Sequence, residues 1–577
     1  MKKLLVFLKD YKKESFLAPT FKMLEAIFEL LVPLAVTVII DNGINQQNSV
    51  WIWTMCGVMI ILGIVGFISA ICAQFFAAKA AVGFATKLRS ALFKKIQGFS
   101  YSITDQVGTA TLITRMTSDV NSVQTGVNMF LRLFMRSPFI VFGAMICAML
   151  IDLKLGIIFA ITIVILAFIV FGIMLISISL HKKTQSRLDD IVSKVRENCS
   201  GTRVIRAFNK EDSEIADFDK KIDSLNKIQI FAGRISALMN PLTYIIVNFA
   251  VILLIRNGAL TVNSGNISQG ELVALYNYMS QILVELIKLA SLIITLNKAA
   301  ASANRISDVF EAPSDVEHTI DKKFSDQTYS ISFDNVSFKY NSNEDSDYAL
   351  KDISFNVKKG QTVGIIGGTG AGKSTLANLI PGFYHVSSGN VFINGKNASL
   401  LSADDIQKTF GIVPQRATLF SGSIRSNLAW GNETATDEEM CQALDIACAK
   451  DFVFENDKQL DQQVQQGGLN FSGGQRQRLT IARAIVKKPE ILILDDSSSA
   501  LDYATEAELR KKLSSLDYAP TIFIISQRAS SMTHADLIIV LDDGRIVGQG
   551  KHQELLENCQ IYREIYDSQF SKGGNNI

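Results

Sequence analysis

QTVGIIGGTGAGKSTLANLIPGF, residues 361–383, decides the fold of the second half of this 577-residue chain. An apolar run of strand type leads into a glycine-rich turn, and a helical pattern follows. GxxxxGK[ST] occupies Gly367–Ser374 in the strand–turn–helix context that this motif requires. Glycines let successive backbone N–H groups of Gly367, Gly368, Thr369, Gly370, Ala371 and Gly372 curl around phosphates. The following helix start, through Thr375, adds its dipole. Lys373 supplies a charge for β/γ-phosphates and Ser374 a hydroxyl for Mg²⁺. Working outward, EILILD (490–495) reads as a parallel strand whose Asp495 points into the same crevice, where it partners Mg²⁺.

FSGGQRQR (471–478), just before that strand, narrows the reading. With it the chain resembles ATP-binding cassette exporters, in which six membrane helices are fused to one cassette, and the resemblance covers nearly the whole chain. It implies ATP and Mg²⁺ as cofactors. It matches Tyr340 to the aromatic that stacks on adenine, and Gln415 to the glutamine that senses Mg²⁺ and links cassette to membrane helices. Phe471, Ser472, Gly473, Gly474 and Gln475 match the signature loop, which in this family reaches across a dimer to ATP held by the opposite cassette. Ser499–Asp502, SALD, match the loop between the two sites.

The chain departs from the family at particular positions. The residue after Asp495 is normally glutamate, the base for the attacking water, and here is Asp496, shorter by one methylene. A base must lie within hydrogen-bond reach of its water. Gln527, in TIFIISQRASS, stands where the family has a histidine, and an amide cannot switch protonation near neutral pH. Gln463, Gln465 and Gln466 replace a commonly acidic stretch. Asp496 and Gln527 belong to the site of the chain's own phosphate loop, whereas random decay would also touch that loop or the signature. The pattern, the length and the ending YREIYDSQF are similar to the degenerate half of heterodimeric bacterial multidrug exporters. The resemblance implies a partner half-transporter with intact glutamate and histidine.

The first half is of another kind. The chain is 48% hydrophobic, and the apolar residues concentrate before residue 300. A hydrocarbon core of ~30 Å takes about 20 apolar helical residues. Six stretches suffice, about 17–40, 52–77, 131–151, 155–179, 241–262 and 272–296. DNGINQQNS has no Lys or Arg, while the links at about 78–130 and 180–240 are basic. By the positive-inside rule both termini, both long links and the cassette are cytoplasmic in a multi-pass protein, and the resemblance implies the bacterial cell membrane. The long links keep helical spacing and read as membrane helices continuing past the bilayer, turning near 99–110 and 208–220, where a short cross-helix could touch a cytoplasmic domain. MKKLLVFLKDYKKESF lacks a cleavage site and reads as an amphipathic helix at the interface.

The expected fold class is therefore a six-helix α-helical membrane domain with long cytoplasmic extensions (1–305), a linker (306–330) and an α/β P-loop cassette with antiparallel β and helical subdomains (331–570). Net charge is +2, giving no global pull toward nucleic acid, and the spans exclude a soluble cassette acting on ribosomes or DNA. The seven cysteines show no zinc spacing. Lys22, Glu25, Glu29, Glu285 and Lys288 lie inside spans, where charge is costly; they either line a watery cavity or pair within the bundle. With no peptidase domain expected before the spans, a transporter that also processes its peptide is not the expected reading. The expected function is export of hydrophobic or amphipathic compounds; the alternatives are a homodimeric exporter of lipid or peptide and an ATP-regulated membrane protein that does not transport.

Overall fold

The apolar runs fold into helices much longer than the runs themselves. The computed structural model describes residues 2–312, 328–340 and 347–570; most of the expected linker lies outside them. Among the described residues six helical segments are long and apolar enough to cross a membrane: Leu4–Ile44, Ser49–Gln97, Thr109–Ile151, Leu153–Ala207, Glu211–Asn263 and Gln269–Glu311. At about 1.5 Å per residue the 55 residues of Leu153–Ala207 extend far beyond a ~30 Å hydrocarbon core. By contact the chain divides into two compact units, residues 1–98 with 107–313 and residues 99–106 with 314–577.

In the membrane unit, the helix Ser49–Gln97 buries Ala73, Ala77, Ala80, Ala81 and Ala85. Small residues one turn apart let helices approach closely. The helix starting at Gln269 comes closer still to the first helix. A Cβ on Gly270 would lie 2.5 Å from the Thr37 carbonyl oxygen, while the Gly270 N–H donates to Asp41 at 3.0 Å.

One expectation needs correction. The second turn is shorter than 208–220: the preceding helix ends at Ala207, Asn209 takes φ +49° and a new helix begins at Glu211. Glu211, Asp212 and Glu214 in its first turn favour a helix start, so 211–220 are helical and form no cross-helix. The start of the chain is helical, with Leu5 and Val6 exposed. Lys2–Tyr11 winds as a 3₁₀ helix straight into Lys12–Val38, with Leu4 buried, Phe7 6.1 Å from Phe310 and Glu14 paired with Lys79 at 2.9 Å. Within the segment Thr109–Ile151 the helix breaks at Phe134–Met135 and resumes at Arg136. The turn near 99–110 does hold a short helix, Tyr101–Val107.

The second unit is built on two main sheets. An antiparallel sheet orders Leu350–Lys358, Tyr329–Phe338, Ser388–Ile393 and Lys396–Asn397. Residues of Leu350–Lys358 largely alternate between buried and exposed, as expected of a sheet with one wet face. The second sheet has six strands, in the order Arg545–Gly550, Leu537–Asp542, Thr362–Gly367, Thr521–Ile525, Ile491–Asp495 and Phe410–Val413. All its pairs are parallel except the outermost, Leu537–Asp542 with Arg545–Gly550. Ile491–Leu494 are buried without alternation, because a central parallel strand is covered on both faces. A helical subdomain holds Asp437–Ile446, Lys450–Phe454 and Gly473–Ile485 around Leu444, Val453, Leu479 and Ile481.

Candidate functional site

The parallel register brings the site together. Ile525 pairs with both Asp495 and Ile365, so Asp495, Asp496, Ser526 and Gln527 emerge beside the turn that follows Thr362–Gly367. With Thr369, Gly370, Gly372, Lys373, Ser374, Thr375, Gln415 and Ile525 they line one cavity of about 270 Å³. Gly370 and Gly372 have φ of +83° and +95°, and a Cβ on Gly368 or Gly370 would project into open space. The turn is thus a concave row of peptide groups with room in front of it. Lys373 is buried, and its Nζ donates to the carbonyls of Gly367 at 2.9 Å and Gly368 at 2.6 Å. Burial pushes its ammonium below the usual lysine range, against the pull of Asp496 and Asp495.

The acidic pair is poised for a cation. Asp495 Oδ1 is buried without a hydrogen-bond partner. Burial, and then the Asp496 charge, push the Asp495 carboxyl up to about 6, opposed by Ser374 and Lys373. An orphaned carboxylate oxygen beside a serine hydroxyl suits a hard cation with oxygen ligands. Asp496 takes φ +44° and its N–H donates to Ile525 O at 2.9 Å, which turns its side chain into the cavity, where Gln415 Nε2 donates to Oδ2 at 3.3 Å.

Tyr340 does not line this cavity. It is half exposed beside it, its hydroxyl 3.0 Å from Thr375 Oγ1 and its ring edge-on to Tyr384 at 5.5 Å. None of Phe471–Gln475 lines the cavity either. Ser472 caps the helix Gly473–Ile485, accepting from Gln475 N at 3.3 Å while its own N–H donates to Gln475 Oε1 at 2.9 Å. Phe471 is buried in the helical subdomain, whereas Ser472 and Gly473 are exposed. Ser499 Oγ donates to Asp496 O at 2.8 Å, and Asp502 caps the helix Tyr503–Ser514. Gln463 pairs with Ser423, and Gln465 N–H donates to Asn470 at 3.0 Å.

Two groupings were missed by sequence reasoning. Within the cassette unit, Tyr101 of the short helix stacks on Phe383 at 4.4 Å, and the Tyr384 hydroxyl donates to Asp105. Burial, then that hydrogen bond, raise the Tyr384 hydroxyl above the ordinary tyrosine range. The only advance signal was the aromatic pair in PGFYH following the phosphate loop. In the membrane unit, Arg136 is the hub of the charged residues. It reaches Glu29 at 2.6 Å, Glu285 at 2.7 Å and Glu25 at 3.7 Å. Lys22 pairs with Glu25 at 2.6 Å and Lys288 with Glu285 at 2.8 Å. These charges pair within the bundle, three cations against three carboxylates. Three span carboxylates facing two lysines could have announced the missing cation.

A phosphate-loop cavity with an acidic pair, on a parallel sheet fused to six membrane-length helices, defines an ATP-binding cassette protein of the membrane. Residues 15–286 match the family model for the ABC transporter transmembrane region, and residues 350–499 the model for the ABC transporter itself. The chain is 36% identical over 579 residues, the full length of both, to YfiB, an ABC transporter ATP-binding protein of Bacillus subtilis. It is 29% identical, over 98% of each chain, to a putative export ATP-binding/permease protein of Rickettsia typhi. The solved structure of a bacterial Atm1-family ABC exporter with ATP bound superimposes with a TM-score of 0.79 at 23% identity, over 98% of this chain and 99% of the other. The chain belongs to the ABC transporter family, with membrane and ATP-binding domains fused; it is a multi-pass membrane protein, and members of this family with this architecture work as dimers.

Proposed function

We propose that the chain is one subunit of an ATP-driven heterodimeric exporter of hydrophobic or amphipathic compounds, in the bacterial cell membrane with the cassette in the cytoplasm, and that its own ATP site is hydrolytically impaired. Export is supported by the Rickettsia relative's description and by the shared exporter fold. The observation that carries the impairment is positional. Asp496 and Gln527, the two departures from the family pattern, both line the phosphate-loop cavity, while the loop and signature sequences are intact.

In this reading the N–H groups of Gly368–Ser374 and the Lys373 ammonium hold the ATP phosphates. Ser374, Asp495 and Gln415 hold Mg²⁺, which supplies charge neutralisation at the β/γ-phosphates, and Tyr340 stacks on adenine. Asp496 sits one C–C bond short of a base that could reach the water. Ser472–Gln475, of which Ser472 and Gly473 are exposed and none lines the chain's own cavity, serve ATP on the partner's cassette, whose glutamate and histidine carry out hydrolysis.

The test is steady-state ATPase of the chain alone and copurified with its partner, each with Lys373→Ala and Ser472→Ala. The proposal expects an active complex that loses most activity with Ser472→Ala and keeps much of it with Lys373→Ala. A second reading, a homodimer with Asp496 as a weak base, is favoured by the Asp496 carboxylate facing the cavity at 3.3 Å from Gln415. Full activity of the chain alone, abolished by Lys373→Ala, would establish it instead.

A further inference from the structure

Inside the membrane unit, a cavity of about 450 Å³ opens between the helical segments Leu153–Ala207, Glu211–Asn263 and Gln269–Glu311. That volume is typical of small-molecule sites, about 300–1,000 Å³. Its walls are Ile173, Met174, Ile178, Met239 and Ile294. Unbranched methionines adapt to variable apolar shapes. Ser177 and Ser236 tie two of the walls together by a hydrogen bond of 3.1 Å, so the cavity is braced.

Charge is confined to one end. Lys298 and His181 line it, and no carboxylate does. Lys22, which is buried, and Lys288 are paired with glutamates, whereas Lys298 is exposed at the edge of the cavity. Lys298 has no ion pair or hydrogen bond among the described residues. By the orientation read from the loops, residues 173–181 and 290–298 are the cytoplasmic ends of their spans. The cavity would then lie at the level of the inner leaflet, with Lys298 at the headgroup plane. A cationic head would meet like charge there, and a neutral one would leave the lysine unused.

We propose that this cavity binds an amphiphile with a single apolar body and an anionic head held by Lys298. The proposal rests on the membrane orientation, and neither on the partner chain nor on the impaired site. Two sources share the chemistry: a resident anionic phospholipid, and a free amphiphile of fatty-acid type.

The assembled transporter is placed in phosphatidylcholine nanodiscs, and binding of radiolabelled palmitate, hexadecanol and hexadecylamine is compared. Palmitate is expected to bind saturably and about tenfold more tightly than hexadecylamine, equivalent to ~1.4 kcal/mol. Lys298→Glu should erase that preference while leaving hexadecanol unaffected, and Ser291→Phe, which intrudes into the cavity, should weaken all three. Displacement of palmitate by phosphatidylglycerol without a change in ATPase identifies a resident lipid; stimulation of ATPase by palmitate identifies a free ligand. Equal binding of the three head groups by the unaltered protein overturns the proposal, as does no saturable binding, the result expected if a partner helix fills the cavity. Failure of the chain to enter nanodiscs would instead refute the membrane assignment.

Discussion

Arg136→Met removes the hub of the membrane charge cluster, and the structure sets the size of the effect. Arg136 and Glu285 are 6% and 2% exposed. After the substitution Glu285 retains the Ser137 hydroxyl at 2.8 Å and Lys288 at 2.8 Å. The Lys288 side chain is 43% exposed, so it encloses the Glu285 carboxylate only in part. Glu29, 40% exposed at its side chain, is far less enclosed than Glu285. The loss is therefore concentrated at Glu285, a buried carboxylate stripped of its main cation, which costs about 3–5 kcal/mol. Replacing both partners with apolar groups removes the uncompensated charge, so Arg136→Met/Glu285→Met should recover most of that loss. The assay is thermal unfolding of the detergent-solubilised transporter, followed by fluorescence-detected gel filtration, for both single variants and the double. The reasoning fails if Arg136→Met melts with the unaltered protein, or if the double variant is no more stable than Arg136→Met.

Asp496→Glu/Gln527→His, in a complex whose partner site is inactivated, should raise ATP hydrolysis by on the order of 10²-fold, the lower end of a general base's contribution; an unchanged rate would mean the impairment lies elsewhere. Tyr384→Phe keeps the ring contacts and deletes the hydroxyl bond to Asp105, so it should weaken seating of 101–106 on the cassette by about 1 kcal/mol. Hydrogen exchange of those residues should speed up while ATP affinity stays level, and unchanged protection would refute the contact. His552 is held below its ordinary value of 6.5 by burial and then by His534, with the Tyr562 hydroxyl 2.7 Å from its Nδ1. A depressed histidine binds fewer protons folded than unfolded, so its stabilisation is complete above 6.5 and is lost as pH falls through the folded value. Melting curves between pH 7.5 and pH 5.5 should show a shallower acid loss in His552→Gln, and parallel losses would sink the assignment.

What the sequence shows of this molecule depends on how far a signal must travel along the chain. Gly367–Ser374 reads locally, because a strand, a turn and a helix start are adjacent. Asp495 and Gln527 read almost as well: each sits at or just beyond the end of an apolar strand, and parallel pairing in register carries both to one edge. The helix lengths follow from uninterrupted spacing. The turn at 208–210 reads wider from the sequence than it is, because Glu211, Asp212 and Glu214 look like loop composition and act as helix-starting charge. Arg136 was invisible for a different reason. Its partners Glu29 and Glu285 are 107 and 149 residues away, and no periodicity ties three helices together at one depth. Charge balance could still have demanded it, since burying Glu25, Glu29 and Glu285 with only Lys22 and Lys288 leaves a net negative charge that a bilayer interior penalises. Lys298 poses a different question: it is an exposed cation at the mouth of an apolar cavity that no carboxylate lines, so burial does not demand a counter-charge, and only the comparison of palmitate with hexadecylamine tells whether an anionic head takes that place.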